Sequence, residues 1–99
     1  MKKQVLIVGL GRFGSSLATT FFSMGHDVLA IDDDEKKVQA ISAHVTHAVQ
    51  ADATDEAVLR ELGVNNFDVA IVTMGEAMQN SVLATILLKK LGVPDVIAR

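Results

Sequence analysis

The 99-residue chain has no cysteine and only one proline. Without thiols it can build no disulfide framework, no thiolate metal site and no thiol nucleophile. Its apolar runs are short. The longest, Val5 to Leu10 and Val82 to Leu88, fall well below the ~20 residues that a bilayer span requires, so no direct membrane insertion is expected. No signal-peptide pattern opens the chain, because Lys2 and Lys3 lead straight into a strand and a glycine loop. A cytoplasmic location is therefore expected. An excess of basic charge is missing too: 9 basic against 12 acidic residues give a net charge of −3. That balance argues against a broad nucleic-acid surface, though not against local capture of an anion by backbone amides. Repeats, low-complexity segments and internal linkers are also lacking.

What is present is apolar side chain, 49% of the composition, enough to order one compact domain of this length. The mean hydropathy of +0.35 is high for so small a unit. Part of the apolar surface is expected to meet another chain or a missing segment.

Short apolar runs alternate with amphipathic stretches. Gln4 to Val8 reads as a strand buried on both faces, followed by a helix over Arg12 to Met24 with Phe13, Leu17, Phe21 and Met24 at helical spacing. Asp27 to Ile31 is a second strand. Asp33 or Asp34 caps a helix to about Ala43, with Val38, Ile41 and Val45 inward. His47 to Gln50 is a weaker strand, and Thr54 is the expected cap of a helix closed by Gly63. Asp68 to Thr73 is a fourth strand, breaking at Gly75. A helix from about Ala77 to Leu91 and a strand from Asp95 to Ala98 complete the pattern. Such alternation predicts parallel strands joined by right-handed crossovers, a Rossmann-like doubly wound α/β sheet. With the sequence stopping on a strand at Arg99, five strands are expected, the sixth strand and a C-terminal lobe being absent.

Gly9-Leu10-Gly11-Arg12-Phe13-Gly14 matches G-x-G-x-x-G between a strand and a helix. Gly9 allows the tight turn, Gly11 lets backbone approach a phosphate, and Gly14 lets the helix pack on the strand. Free amides at the helix start then hold phosphate oxygens. Asp32 ends the second strand, eighteen positions after Gly14, where a carboxylate accepts from both ribose hydroxyls and repels a 2′-phosphate. NADP is therefore disfavoured. Asp33, beside it, is assigned to the same edge, and Asp32 to Asp34 read equally as capping residues.

Other positions carry two readings each. Arg12 either forks over terminal phosphates or is a solvated first-turn arginine. Asp52 with Ala53 and Thr54 either accepts from an adenine amino group or forms a capping turn. Thr73, Met74 and Gly75 end the fourth strand at the ligand edge, where small residues admit a ligand. Arg99 ends the fifth strand there and either reaches a phosphate or is solvated. His26, His44 and His47 fall at the opposite edge as surface or turn residues. No acid–base set for hydride transfer, metal cluster or GxxxxGK[ST] loop stands out, so no enzyme activity is expected.

GLGRFG after VLIV, then MGHDVLAID, DDDEKKV, ADAT and VPDVIAR together resemble the KTN (RCK) nucleotide-binding domain, TrkA-N, over essentially the whole of residues 1–99. The resemblance implies a regulatory subunit rather than a catalyst. It implies subunits that pair and assemble into a ring beneath a membrane potassium transporter or channel of the Ktr or Trk type. By the same resemblance Gly9, Gly11 and Gly14 line the phosphates, Asp32 takes the ribose, and Asp52 and Thr54 sit by the adenine. Arg12 and Arg99 then match basic positions that contact the outer phosphates of ATP in Ktr-type members. ATP/ADP is thus the first choice of ligand and NAD(H) the alternative. A different class, the NAD-binding domain of a dehydrogenase cut before its catalytic domain, shares the glycines and Asp32.

The final helix is expected either to meet a partner subunit or to be covered by a missing C-terminal segment, and the resemblance to a family of paired subunits favours the first. Met78, Val82, Leu83, Ala84, Ile86, Leu87, Leu88 and Leu91 spread around more of its circumference than one core stripe needs. Adjacent Phe21 and Phe22 cannot both point inward, so one marks a second surface.

Overall fold

A computed structural model describes residues 1–74 and 78–99, with Met78 described through its backbone. In chain order the elements are β1 (Gln4–Val8), α1 (Arg12–Ser23), β2 (Asp27–Asp32), α2 (Glu35–Ile41), β3 (His47–Gln50), α3 (Glu56–Glu61), β4 (Val69–Val72), α4 (Met78–Lys90) and β5 (Asp95–Ala98). A short 3₁₀ turn, Ser42–His44, finishes α2, and another, Val64–Asn66, follows the left-handed Gly63 after α3. The strands form one parallel sheet in the order β3-β2-β1-β4-β5. This is the Rossmann-like arrangement expected, with a topological switch between β1 and β4.

Each strand alternates between two cores. Val5, Ile7, Val28 and Ala30 point to the face carrying α1 and α2, through Leu10, Ala18, Val38 and Ile41. Leu6, Val8, Leu29, Ile31, Ala70 and Val72 face the opposite way, onto Leu59 of α3 and Ala84, Leu87 and Leu88 of α4. Burial on both faces is why β1 and β2 are continuous apolar runs rather than alternating ones. At the sheet edge β5 is thinly covered, and Ile97 is 54% exposed.

Two local expectations change. The inward stripe of α1 is Gly14 and Ala18, helped by half-buried Leu17 and Phe21, while Phe13 and Met24 lie exposed. Small residues on the contact face bring the helix close to the sheet, which turns the larger side chains at its ends outward. Asp55, not Thr54, caps α3: its carboxylate accepts from the amides of Ala57 (3.0 Å) and Val58 (3.4 Å). The Thr54 hydroxyl is engaged elsewhere, on Asp52. Of the two aspartates offered as caps for α2, Asp34 does it, accepting from the Lys36 amide at 2.9 Å. Phe21 packs inward with its ring edge against His26, whereas Phe22 is exposed, so the adjacent pair divides as expected.

On α4, Ala84, Leu87 and Leu88 are buried, yet Val82, Leu83 and Ile86 are 53%, 43% and 56% exposed. Val82 and Ile86, one turn apart, stand opposite the core-facing residues. Lys90 at the far end binds Glu56 of α3, which also pairs with Arg60. Those two cations, Lys90 first, hold the Glu56 carboxyl below its ordinary titration range.

Candidate functional site

The carboxyl ends of β1, β2, β3 and β4 open into a cleft of about 490 Å³, a size that suits a small organic ligand. Its floor is the loop between β1 and α1. Gly9 has φ of +95°, and an added Cβ would stand 2.5 Å from the Thr73 carbonyl oxygen. At Gly14 a Cβ would overlap the Gly9 carbonyl oxygen and come within 2.6 Å of the Thr73 hydroxyl. Both positions are glycine because the loop, α1 and the end of β4 crowd together. Gly11 is different: it has an ordinary extended backbone, and among the described residues nothing lies within 4 Å of an added Cβ, so its bareness serves no packing there.

Side chains lock the loop. The Leu10 amide donates to Asp32 Oδ2 at 2.8 Å, and the Leu10 carbonyl accepts from the Ser15 hydroxyl at 2.9 Å. Thr73 Oγ1 donates to the Gly9 carbonyl at 2.9 Å, and the Gly9 amide donates to Ile31. The first amide with an intrahelical acceptor is Ser15, bonded to the Gly11 carbonyl. Among the described residues no acceptor meets the amides of Gly11, Arg12, Phe13 or Gly14, and α1 has neither an acidic first turn nor a side-chain cap. Four consecutive donors at the positive end of a helix dipole are thus held open beside a bare α-carbon.

Asp32 has its Oδ1 on the Asp34 amide at 2.8 Å, so the carboxylate ties the glycine loop to the turn before α2. Each oxygen thus has one bond among the described residues and capacity for a second, and Asp32 lines the cleft. Across the site Asp52 Oδ1 accepts from the Thr54 hydroxyl (2.6 Å) and amide (2.8 Å). The hydroxyl first, then the amide, lowers the Asp52 carboxyl below its ordinary range. Among the described residues its Oδ2 has no partner, leaving an acceptor at the rim. Gln50 anchors the turn by donating to the Asp33 carbonyl at 3.0 Å.

The cleft brings together Gly9, Gly11, Asp32, Asp33, Asp52, Ala53, Thr73 and Met74 of the residues singled out in the sequence. Arg12, Phe13, Gly14, Thr54 and Arg99 lie outside its lining, and Gly75 lies outside the described residues. Gly14 is structural in its packing and Thr54 acts through Asp52. Arg99 extends beyond β5, its amide bonded to the Val72 carbonyl, and its guanidinium carbon sits 4.1 Å from the centroid of the Phe13 ring. The salt bridges among the described residues involve neither Arg12 nor Arg99. His26 is at the opposite edge, its Nδ1 accepting from the Lys3 amide.

Ile31, Lys37, Ala51 and Asn80 also line the cleft and were not singled out. Lys37 and Asn80 each occupy the third position of a helix that leaves the ligand edge. That shared position is the signal that would have found them, since first-turn side chains of such helices overhang the strand ends.

Fold and cleft together define a Rossmann-like α/β domain with an anion-ready loop at its switch point. Residues 5–99 match the TrkA-N domain family, and the chain belongs to that family. Over 94 residues it is 48% identical to Ktr system potassium uptake protein A of Bacillus subtilis (strain 168), a match covering 95% of this chain and 42% of that protein. The chain thus spans less than half the length of this relative. Among solved structures it resembles the NAD(P)-binding domain of an exopolyphosphatase-related protein from Archaeoglobus fulgidus, with a TM-score of 0.86 and 24% identity over 98% of this chain and 72% of that one. A GsuK channel bound to NAD aligns with a TM-score of 0.82 and 18% identity, covering 99% of this chain and 18% of the channel chain.

Proposed function

We propose that this domain is the nucleotide-sensing part of a potassium uptake system, binding an adenine nucleotide in the cleft and controlling a membrane transporter or channel of the Ktr or Trk type from its cytoplasmic side. The observation that carries the ligand reading is the row of four open amides, Gly11 to Gly14, beside the bare Gly11. Phosphate oxygens meet them as charge-assisted acceptors. The two free lone pairs of Asp32 take the ribose hydroxyls, and Asp52 Oδ2 takes the adenine amino group with Ala53, Thr73 and Met74 in contact. Asp32 and Asp33 at the ribose end weigh against a 2′-phosphate.

ATP/ADP is the preferred ligand, because Arg12 and Arg99 add two cations at the phosphate end beyond what a diphosphate bridge needs. NAD(H) is the second reading, favoured by the NAD in the similar GsuK channel structure. The transport role rests on family membership and on the 48% identity to a potassium uptake protein. Regulation then follows from differential affinity: a tail that engages both arginines favours one subunit arrangement, and a shorter tail releases it. The exposed Val82 and Ile86 on α4, with Leu83 beside them, supply the face for pairing into a dimer and higher ring. No chemical step is assigned to the domain.

Thermal unfolding with ATP, ADP, AMP, NAD and NADH tests the ligand reading. A ligand at 100 times its dissociation constant stabilises by about 2.7 kcal/mol, a shift of several degrees for a domain of this size. ATP and ADP are expected to give the largest shifts. No shift with any of the five rejects nucleotide binding, and turnover of a 2-hydroxy acid with NAD by the intact protein would transfer the chain to the dehydrogenase class.

A further inference from the structure

We infer that Phe13 is a positioning residue, whose ring holds the Arg99 guanidinium at the phosphate end of the cleft and so sets how strongly the site discriminates by phosphate tail length. This rests on the nucleotide reading above and adds a cause for its preference. Three observations carry it. Phe13 is the second residue of α1, so its own amide belongs to the open row that receives a phosphate. Its ring is not core: it is 44% exposed although it sits at helical spacing with inward residues. Over that ring, 4.1 Å from the centroid, lies a guanidinium that arrives from the other side of the switch point, at the end of β5.

The energetics are opposed in a useful way. A cation at the positive end of a helix is disfavoured, and an exposed long side chain has many other rotamers to occupy. The face of an aromatic ring offsets both by supplying a negative quadrupole and a flat platform for a planar cation. Arg99 is thereby kept against the side chain of Phe13, whose own amide belongs to the open row, in the absence of ligand. It need not be ordered when a tail arrives, which lowers the cost of engaging a terminal phosphate. A monophosphate, seated nearer the ribose, gains less from this arrangement. Phe13 and Arg99 together would therefore read tail length, with Arg12 as the second cation.

Calorimetric titration of the intact protein with ATP, ADP and AMP tests this, using Phe13→Leu, Phe13→Tyr, Arg99→Gln and the double variant Phe13→Leu/Arg99→Gln. Phe13→Leu is expected to reduce the ATP-to-AMP affinity ratio by about 3- to 10-fold, the range of a moderately exposed cation–π contact. Phe13→Tyr retains the ratio, and Phe13→Leu adds nothing to the ratio in the Arg99→Gln background. In the ligand-free protein the Arg99 Nε–H resonance is ring-shifted and loses that shift in Phe13→Leu. An equal loss of ATP and AMP affinity in Phe13→Leu would mean a loop defect and overturn the positioning role, as would an unchanged ratio. If the wild type binds none of the three, the nucleotide reading falls and this role with it. If it binds all three alike, only the tail-reading role falls.

Discussion

Gly11→Ala separates ligand capture from folding more cleanly than any other single change. The position has φ of −69° and ψ of −166°, which alanine adopts without strain, and among the described residues an added methyl meets nothing within 4 Å. Stability should hold or rise, by about 0.4–1 kcal/mol, because alanine reduces the freedom of the unfolded chain. Under the proposed function the same methyl stands where a phosphate comes close to the Gly11–Gly14 amides. Pushing the tail out of reach weakens charge-assisted hydrogen bonds worth about 1.5–3 kcal/mol each, so losing one or two predicts a drop in affinity of about 10- to 100-fold or more. Urea unfolding and calorimetric titration with ATP read the two effects separately. The control is Gly14→Ala, whose methyl overlaps the Gly9 carbonyl and crowds Thr73. It should destabilise the ligand-free domain by at least the 1–3 kcal/mol typical of overpacking. A Gly11→Ala protein that binds ATP like the wild type, or one that unfolds like Gly14→Ala, would refute the assignment of these two glycines.

Ile86→Asp should convert a self-associating protein to a smaller species by sedimentation while leaving urea unfolding of the monomer nearly unchanged, because Ile86 is 56% exposed; Leu87→Asp, at a position 8% exposed, should unfold it instead. An Ile86→Asp protein of unaltered mass would remove α4 from the assembly surface. Asp52 should titrate below the ordinary aspartate range near ~4, and Thr54→Val should move it back up, as followed by carboxyl carbon shifts. Since its folded value is lowered, the Asp52 turn contributes stability above the ordinary range and loses it as the pH falls through the folded value. An Asp52 titration unaffected by Thr54→Val would show that the hydroxyl bond is not the cause.

The sheet was legible because each strand of the two central βα units is an apolar run ended by a residue with a defined task, Gly9 after β1 and Asp32 at the end of β2. Their C-terminal positions fix the cleft, so most of its lining followed from the strand ends alone. Errors came where two polar residues compete for one backbone. Thr54 and Asp55 are both good caps, and the choice went to Asp55 because Asp52 captures the Thr54 hydroxyl, a contact that spacing does not reveal. Helical spacing likewise placed Phe13 with Leu17 and Phe21, although small Gly14 and Ala18 form the contact that decides the rotation of α1. Lys37 and Asn80 were missed because their approach to the cleft depends on helix direction in three dimensions.

A crystal structure of the intact protein grown with millimolar ATP would show directly what the glycine loop holds. Phosphate oxygens are expected on the amides of Gly11 to Gly14, ribose hydroxyls on Asp32 and the adenine against Ala53 beside Asp52. Ordered water alone on those amides, or ATP bound elsewhere on the domain, would contradict nucleotide binding in the cleft.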